Sequence, residues 1–187
     1  MSTVIEQVAL PGGVVLRLVT EHDAEAVAIA YDRNREHLKR WEPRRTAEFY
    51  TVEGQAQRLK GLLDQQGRGQ AMAWVLADGE RVVGRITLNE IVRGPFLNAH
   101  VGYWLDADYT GRGLATATVR EVCRIADQEL GLHRLAAGTL LDNVASQAVL
   151  RKNGFEPFGL ATQYLEIDGR WQDHRLFQRI LNDRPAF

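Results

Sequence analysis

The order of hydrophobic patterns along the chain predicts a mixed α/β sheet with helices on both faces. Three observations carry that expectation. Asp-Gly pairs at 78–79 and 168–169 each separate two β-rich runs, a strong local hairpin signal. After the stretch "YTGRGLAT" (109–116), Ala115, Val119, Val122, Ala126 and Leu130 recur at spacings of four, three, four and four. That is the apolar stripe of a helix lying on a sheet. The remaining segments run strand, helices, a series of antiparallel strands, helix, strand, helix and hairpin.

Each element has a local reason. "GVVLRLV" (13–19) is β-rich. "TEHDAEAVAIAYDRNREHLKRW" reads as one helix, with Thr20 at its cap and Asp23 in the first turn, where a carboxylate is favourable. "TVEGQAQRLKGLLDQQGRG" is a second helix, weakened by Gly54 and Gly61 and ended near Gly67. The first hairpin spans "QAMAWVLADGERVVGRITLNEIV", "RGPFLN" is a loop, and "AHVGYWL" is a third strand of the same sheet. Gly131 ends the striped helix as a C′ residue. "HRLAAGTL" is strand-like, "NVASQAVLRKNG" a short helix with Gly154 just past its end, and the second Asp-Gly hairpin closes the chain.

At 187 residues, the chain is expected to fold as one domain over 1–187. The formal net charge of −1 argues against a protein that coats nucleic acid, because phosphate neutralisation needs a positive surplus. Arg33, Arg35, Lys39, Arg40, Arg44 and Arg45 crowd one segment, which reads as a solvated helix face or as a local basic patch. The single cysteine, Cys123, cannot form an internal disulfide and reads as a small core residue in a reducing compartment. No apolar run approaches a membrane span, and "MSTVIEQVALPGG" does not read as a secretion signal. A cytoplasmic location is expected.

The turn at 111–116 is the chemical signal. Gly111 and Gly113 lack Cβ atoms, so the backbone can take positive φ and lie close to a ligand. Successive amides in such a turn form an anion-binding concavity, and the following helix adds its free N-terminal donors. Arg112 adds a charge or faces solvent. A P-loop is excluded, since no Gly-Lys-Ser/Thr ends the turn. A Rossmann fingerprint is excluded too: Thr116 holds the third glycine's place, and the next strand "RLAAGTL" ends without an acidic residue.

"HVGYWLDADYTGRGLATATV" resembles the acetyl-CoA-binding motif of the GNAT N-acetyltransferases, Gln/Arg-x-x-Gly-x-Gly/Ala. Gly113 and Ala115 match its last two positions and Gly111 a common glycine within it, whereas Thr110 stands where Gln or Arg is usual. Gly102-Tyr103-Trp104-Leu105 followed by Gly111-Arg112-Gly113-Leu114-Ala115-Thr116 resembles the ribosomal-protein-alanine N-acetyltransferase (RimJ/RimL-like) branch. "DNVASQAVLRKNGF" (142–155) resembles that branch's Asn-x-x-Ser-x-x-x-Leu-x-Lys-x-Gly-Phe element, and "EHLKRWEP" and "DGRWQDHRLFQRIL" look like it as well.

The resemblance implies a central, mostly antiparallel mixed sheet flanked by helices. It also implies acetyl transfer from acetyl-CoA to a primary amine by direct attack, with no metal. The implied acceptor is a protein N-terminus. A small amine, such as an antibiotic or polyamine, is the close rival, and a non-catalytic acyl-CoA-binding module is the alternative from another class. A homodimer is admitted. The backbone of Tyr103, Trp104 and Leu105 is implied to bind pantetheine and the acetyl carbonyl, and Asn143 to contact the cofactor. Ser146 is implied to serve the CoA sulfur, although it also suits a helix start. Many family members use a tyrosine four residues before the Gly-Phe glycine, where this chain has Leu150. A general base is open among Glu90, His100, Glu166 (beside the counted position, Leu165) and a water chain. Trp41 is expected to wall the acceptor pocket.

Overall fold

The computed structural model describes residues 7–186, so the part of the N-terminal reading that rests on residues 1–6 lies outside it. Among the described residues, eight strands form one sheet in the order β1-β2-β3-β4-β5-β6-β8-β7. Strands β1 (Val8–Ala9), β2 (Val15–Leu18), β3 (Met72–Asp78), β4 (Arg81–Val92) and β5 (Asn98–Leu105) pair antiparallel in succession. β5 pairs parallel with β6 (Arg134–Leu140). β8 (Arg170–Ile180) then lies between β6 and β7 (Glu156–Ile167), antiparallel to both. The mixed, mostly antiparallel sheet is as expected; the two-residue β1 is an addition that the patterns did not announce.

The register assigns faces. Arg85 lies opposite Trp104 and Thr87 opposite Gly102. Alternation therefore turns Trp104 to one side of the sheet and Tyr103 and Leu105 to the other. On Trp104's side, α1 (Ala24–Arg33) and α3 (Val52–Gly67) close a core of Val27, Tyr31, Phe49, Leu59 and Val75. On Tyr103's side, α4 (Leu114–Gln128) presses Val119, Val122, Ile125 and Ala126 against Leu135 and Phe177. α5 (Val144–Lys152) packs beside α4, and Asn153 ties the two by donating from Nδ2 to the Thr116 carbonyl at 3.1 Å.

Three local expectations are refined. The helix expected over 20–41 breaks at Asn34, giving α1 and a short α2 (Arg35–Leu38). The buried Asn34 side chain donates to Ala30 O at 2.9 Å and accepts from Ala107 N at 2.9 Å, a side-chain competition that favours a helix end. Gly54 is more than a weak helix former, because a Cβ there would lie 2.0 Å from Glu48 O. Of the hairpins, the second turns on Asp168 and Gly169, at φ 47° and 76°, as a primed turn demands. In the first, Asp78 still pairs with Arg81, so Gly79 and Glu80 are the turn residues.

Candidate active site

β5 and β6 part toward the C-terminal end of β5. Only Asn98, Ala99 and His100 of this strand pair with β6. From Val101 onward the β6-facing edge of β5 is unpaired, and the fork leaves the backbone of Tyr103, Trp104 and Leu105 open on that side.

The chain then enters the glycine turn. Gly111 and Gly113 adopt φ of 74° and 75°. The first amide of α4 to close a helical bond is that of Ala117, which donates to Gly113 O at 3.0 Å. The amides of Gly111, Arg112, Gly113, Leu114, Ala115 and Thr116 have no acceptor among the described residues. A consecutive run of free donors at the N-terminus of a 15-residue helix is the backbone arrangement that suits an anion. No Cβ built on Gly111 or Gly113 meets an atom within 4 Å, so the concavity beside them is open. Arg112 is exposed, its guanidinium 5.3 Å from the Tyr109 ring centroid.

The turn is anchored from below by Asp106. Its carboxylate accepts from Arg33 Nε at 2.8 Å, Arg81 Nη2 at 3.2 Å and its neighbour Asp108 N at 3.0 Å. Burial would raise its pKa, but these donors together with Asn34 outweigh it and hold the group at about 2.

Across the fork stands the start of α5. Asn143 caps it, accepting from Ser146 N at 3.1 Å. The Ser146 hydroxyl lies 2.8 Å from the Tyr103 hydroxyl. Burial pushes the Tyr103 phenol up to about 12, although the Ser146 contact pulls it down. The phenol therefore stays protonated at neutral pH. Leu150, at the position where the resemblance leads one to expect a tyrosine, is fully buried in the core. A tyrosine hydroxyl thus reaches this corner of the fork from β5 instead of from α5. Spacing along the chain gives no hint of it, since the partners are 43 residues apart.

On the opposite face of β5 is a cavity of about 490 Å³. Tyr31 of α1, Arg58 of α3, Arg85, Thr87 and Asn89 of β4, and Gly102, Tyr103 and Trp104 of β5 line it, together with Glu42 and Arg45. The Tyr31 and Trp104 rings pack with centroids 4.7 Å apart, and the buried Trp104 Nε1 has no partner among the described residues. The Glu42 side chain is 21% exposed and lies 3.6 Å from Arg45. Burial raises its pKa, against the pull of Arg45, Arg85 and Arg58. Arg58 is lowered, first by burial and then by its like-charged neighbours Arg45 and Arg85.

The other sequence-derived candidates lie elsewhere. Glu90 and His100 are 3.9 Å apart at the β4 bulge, with Glu90 largely exposed, and neither lines this cavity. Glu166 is exposed on β7 opposite Trp171. Trp41 is half-buried under Arg40 and does not wall the cavity; its neighbour Glu42 does. Cys123 is buried, and burial pushes its thiol up to about 11, so it stays protonated. Glu42, Arg58 and Arg85 were missed by sequence reasoning, which noted Arg45 only as part of a basic segment; Glu42 is one of two carboxylates in that segment, with Glu36, and nothing in the spacing singles it out.

The Acetyltransferase (GNAT) domain family matches residues 14–156. The chain belongs to the GNAT acetyltransferase family. It is an acyltransferase. It is 35% identical over 162 residues to the probable N-acetyltransferase YjcK of Bacillus subtilis (strain 168), covering 86% of this chain and 89% of that one. It is 33% identical over 164 residues to the [ribosomal protein uS5]-alanine N-acetyltransferase of Escherichia coli (strain K12), covering 87% and 84%. Among solved GNAT structures, the ribosomal-protein-S5-alanine acetyltransferase of Vibrio fischeri superposes with a TM-score of 0.88 at 36% identity, covering 91% of this chain and 94% of that one. Mycobacterium smegmatis RimJ in complex with CoA-disulfide gives 0.88 at 30% identity, covering 97% and 90%. No helix among the described residues is long and apolar enough to cross a membrane.

Proposed function

We propose that this GNAT enzyme transfers the acetyl group of acetyl-CoA to the N-terminal α-amine of a protein by direct attack. The observation that carries the reading is the run of six unpaired amides, Gly111 to Thr116, beside the open edge of β5. A diphosphate suits that run. The pantetheine and thioester suit the free backbone of Tyr103 to Leu105, and the amine suits the cavity on the other face of the same residues. Acetyl-CoA supplies the activated acyl group. A protein N-terminus is supported by the relatives that act on ribosomal proteins.

The chain's own residues divide the remaining work. An ammonium must lose a proton before it attacks, and Glu42 is the only carboxylate lining the cavity among the described residues. Its raised pKa brings it nearer the range where a general base works well. Backbone donors on the open edge of β5 stabilise the negative charge developing on the carbonyl oxygen. As the C–N bond forms and the C–S bond breaks, the Ser146 hydroxyl donates to the departing sulfur. Tyr103, still protonated, donates to Ser146 Oγ in turn and holds that hydroxyl in its donating orientation. We also propose a cytoplasmic location, which the single buried cysteine supports.

The test is thiol release from acetyl-CoA across N-terminal peptides and small amines, with mass spectrometry to locate the acetyl group. Release with peptides modified at the α-amine is expected. Release with small amines alone would replace the acceptor. Acetyl-CoA binding with no release from any amine would mark a non-catalytic binding module.

A further inference from the structure

The charge of the acceptor cavity is the reverse of what an amine alone would select. A cationic acceptor is attracted by carboxylates, yet three guanidiniums, Arg45, Arg58 and Arg85, line this cavity against one carboxylate, Glu42. Arg45 is engaged by Glu42 at 3.6 Å. Arg58 and Arg85 have no carboxylate oxygen within 4.0 Å and no side-chain hydrogen bond among the described residues. They sit on two different elements, α3 and β4, and face the same space. Their partners are apolar or aromatic: Arg58 lies over the Phe49 ring at 4.8 Å and Arg85 over the Tyr31 ring at 5.7 Å. Three guanidiniums facing one carboxylate leave an excess of positive charge, which solvent screens in part at the exposed Arg58, and an anionic group on the ligand offsets it.

Resting on the function proposed above, we propose that the acceptor is a peptide or protein N-terminus with an acidic side chain among its first three residues. Glu42 receives the amine, and Arg58 and Arg85 receive the carboxylate. A free amino acid fits less well. Its carboxylate is one carbon from its amine, and the guanidinium nearest Glu42 is already paired with it. The unpaired guanidiniums belong to other elements, which suits an anion set further from the amine. The cavity rim is formed by exposed Gln57, Gly61 and Gln65 of α3, where a continuing chain can leave.

The experiment compares kcat/KM for peptides that begin Ala-Asp or Ala-Glu with their Ala-Asn, Ala-Gln and Ala-Lys counterparts. A charge-assisted contact predicts a preference for acid over amide of on the order of tenfold, carried mainly by KM. The preference is expected to shrink as salt is raised. Arg58→Gln and Arg85→Gln are each expected to lower the ratio, the double variant to bring it near one, and Arg85→Lys to keep part of it. Equal use of acidic and amide peptides by the unaltered enzyme, or a preference for lysine, overturns this inference and leaves the proposed function standing. Transfer to free amino acids but to no peptide overturns both. The wild-type comparison needs no variant to fold.

Discussion

Replacing Gly113 by alanine separates the strain of the glycine turn from its role as a phosphate cradle. Gly113 sits at φ 75°, and an added Cβ would meet nothing within 4 Å, so there is no clash to account for. What remains is the left-handed backbone penalty, about 1–2 kcal/mol for a residue with a Cβ. For a domain of this size 1 kcal/mol shifts the melting midpoint by about 2–4 °C, so a loss of about 2–8 °C is expected. If the free turn escapes the strain by relaxing, binding must re-impose it. The same energy then appears as a roughly 5- to 30-fold rise in the KM for acetyl-CoA. The KM for the acceptor, measured at saturating acetyl-CoA, is expected to stay put. Gly131→Ala is the matched control. It lies just past the other end of the same helix, at φ 64°, also with open space around its Cβ. It should cost similar stability and leave the KM for acetyl-CoA alone. Thiol-release kinetics, calorimetric titration with CoA and thermal melts read all three quantities. If Gly113→Ala melts as the parent does, so that the turn has relaxed, and still binds acetyl-CoA as the parent does, the amide run is not the diphosphate site.

Three further outcomes follow from the same geometry. Ser146→Ala should lower kcat by about tenfold or more with little change in the KM for acetyl-CoA, and Tyr103→Phe should do so more weakly; unchanged turnover in both would show that water serves the sulfur. Glu42→Gln should lower kcat/KM for the amine and abolish an acid limb that lies above the ordinary glutamate range in the parent enzyme; persistence of that limb would assign it to another group. Asp106 is held at about 2, below its usual 3.8, so its contribution is present above about pH 4 and lost as pH falls toward 2. Asp106→Asn should therefore cost about 2 kcal/mol at neutral pH, with the gap to the parent closing in acid, as urea unfolding at several pH values would show.

Much of the fold was legible because its signals are local. The Asp-Gly turn at 168–169, a five-residue apolar stripe and a pair of glycines before a helix each declare a backbone conformation within a few residues, whereas the Asp78-Gly79 pair located its hairpin but not its turn residues. The turn at 111–116 belongs to this class, since its free donors are amides and only φ and the helix start have to be right. Asn143 and Ser146 were pointed to by the family resemblance; a helix-start role was read for Ser146, and the structure gives the cap to Asn143, which accepts from Ser146 N.

Contacts that depend on register and on distant pairings were not. Whether Tyr103 or Trp104 turns to the α1–α3 side of the sheet is decided by which residue of β4 each one pairs with. The Tyr103–Ser146 contact spans 43 positions. The break at Asn34 turns on Ala107, 73 residues away. Glu42, Arg58 and Arg85 come from a loop, a helix and a strand, and each alone reads as an ordinary surface charge. Charge becomes chemistry only through burial and neighbours, because Coulomb energies depend on distances and dielectric that no stretch of chain contains. The linear chain thus determined the glycine turn and its run of free amides; the packing of α1, α3 and the 42–45 segment onto β4 and β5 decided the charge and lining of the cavity.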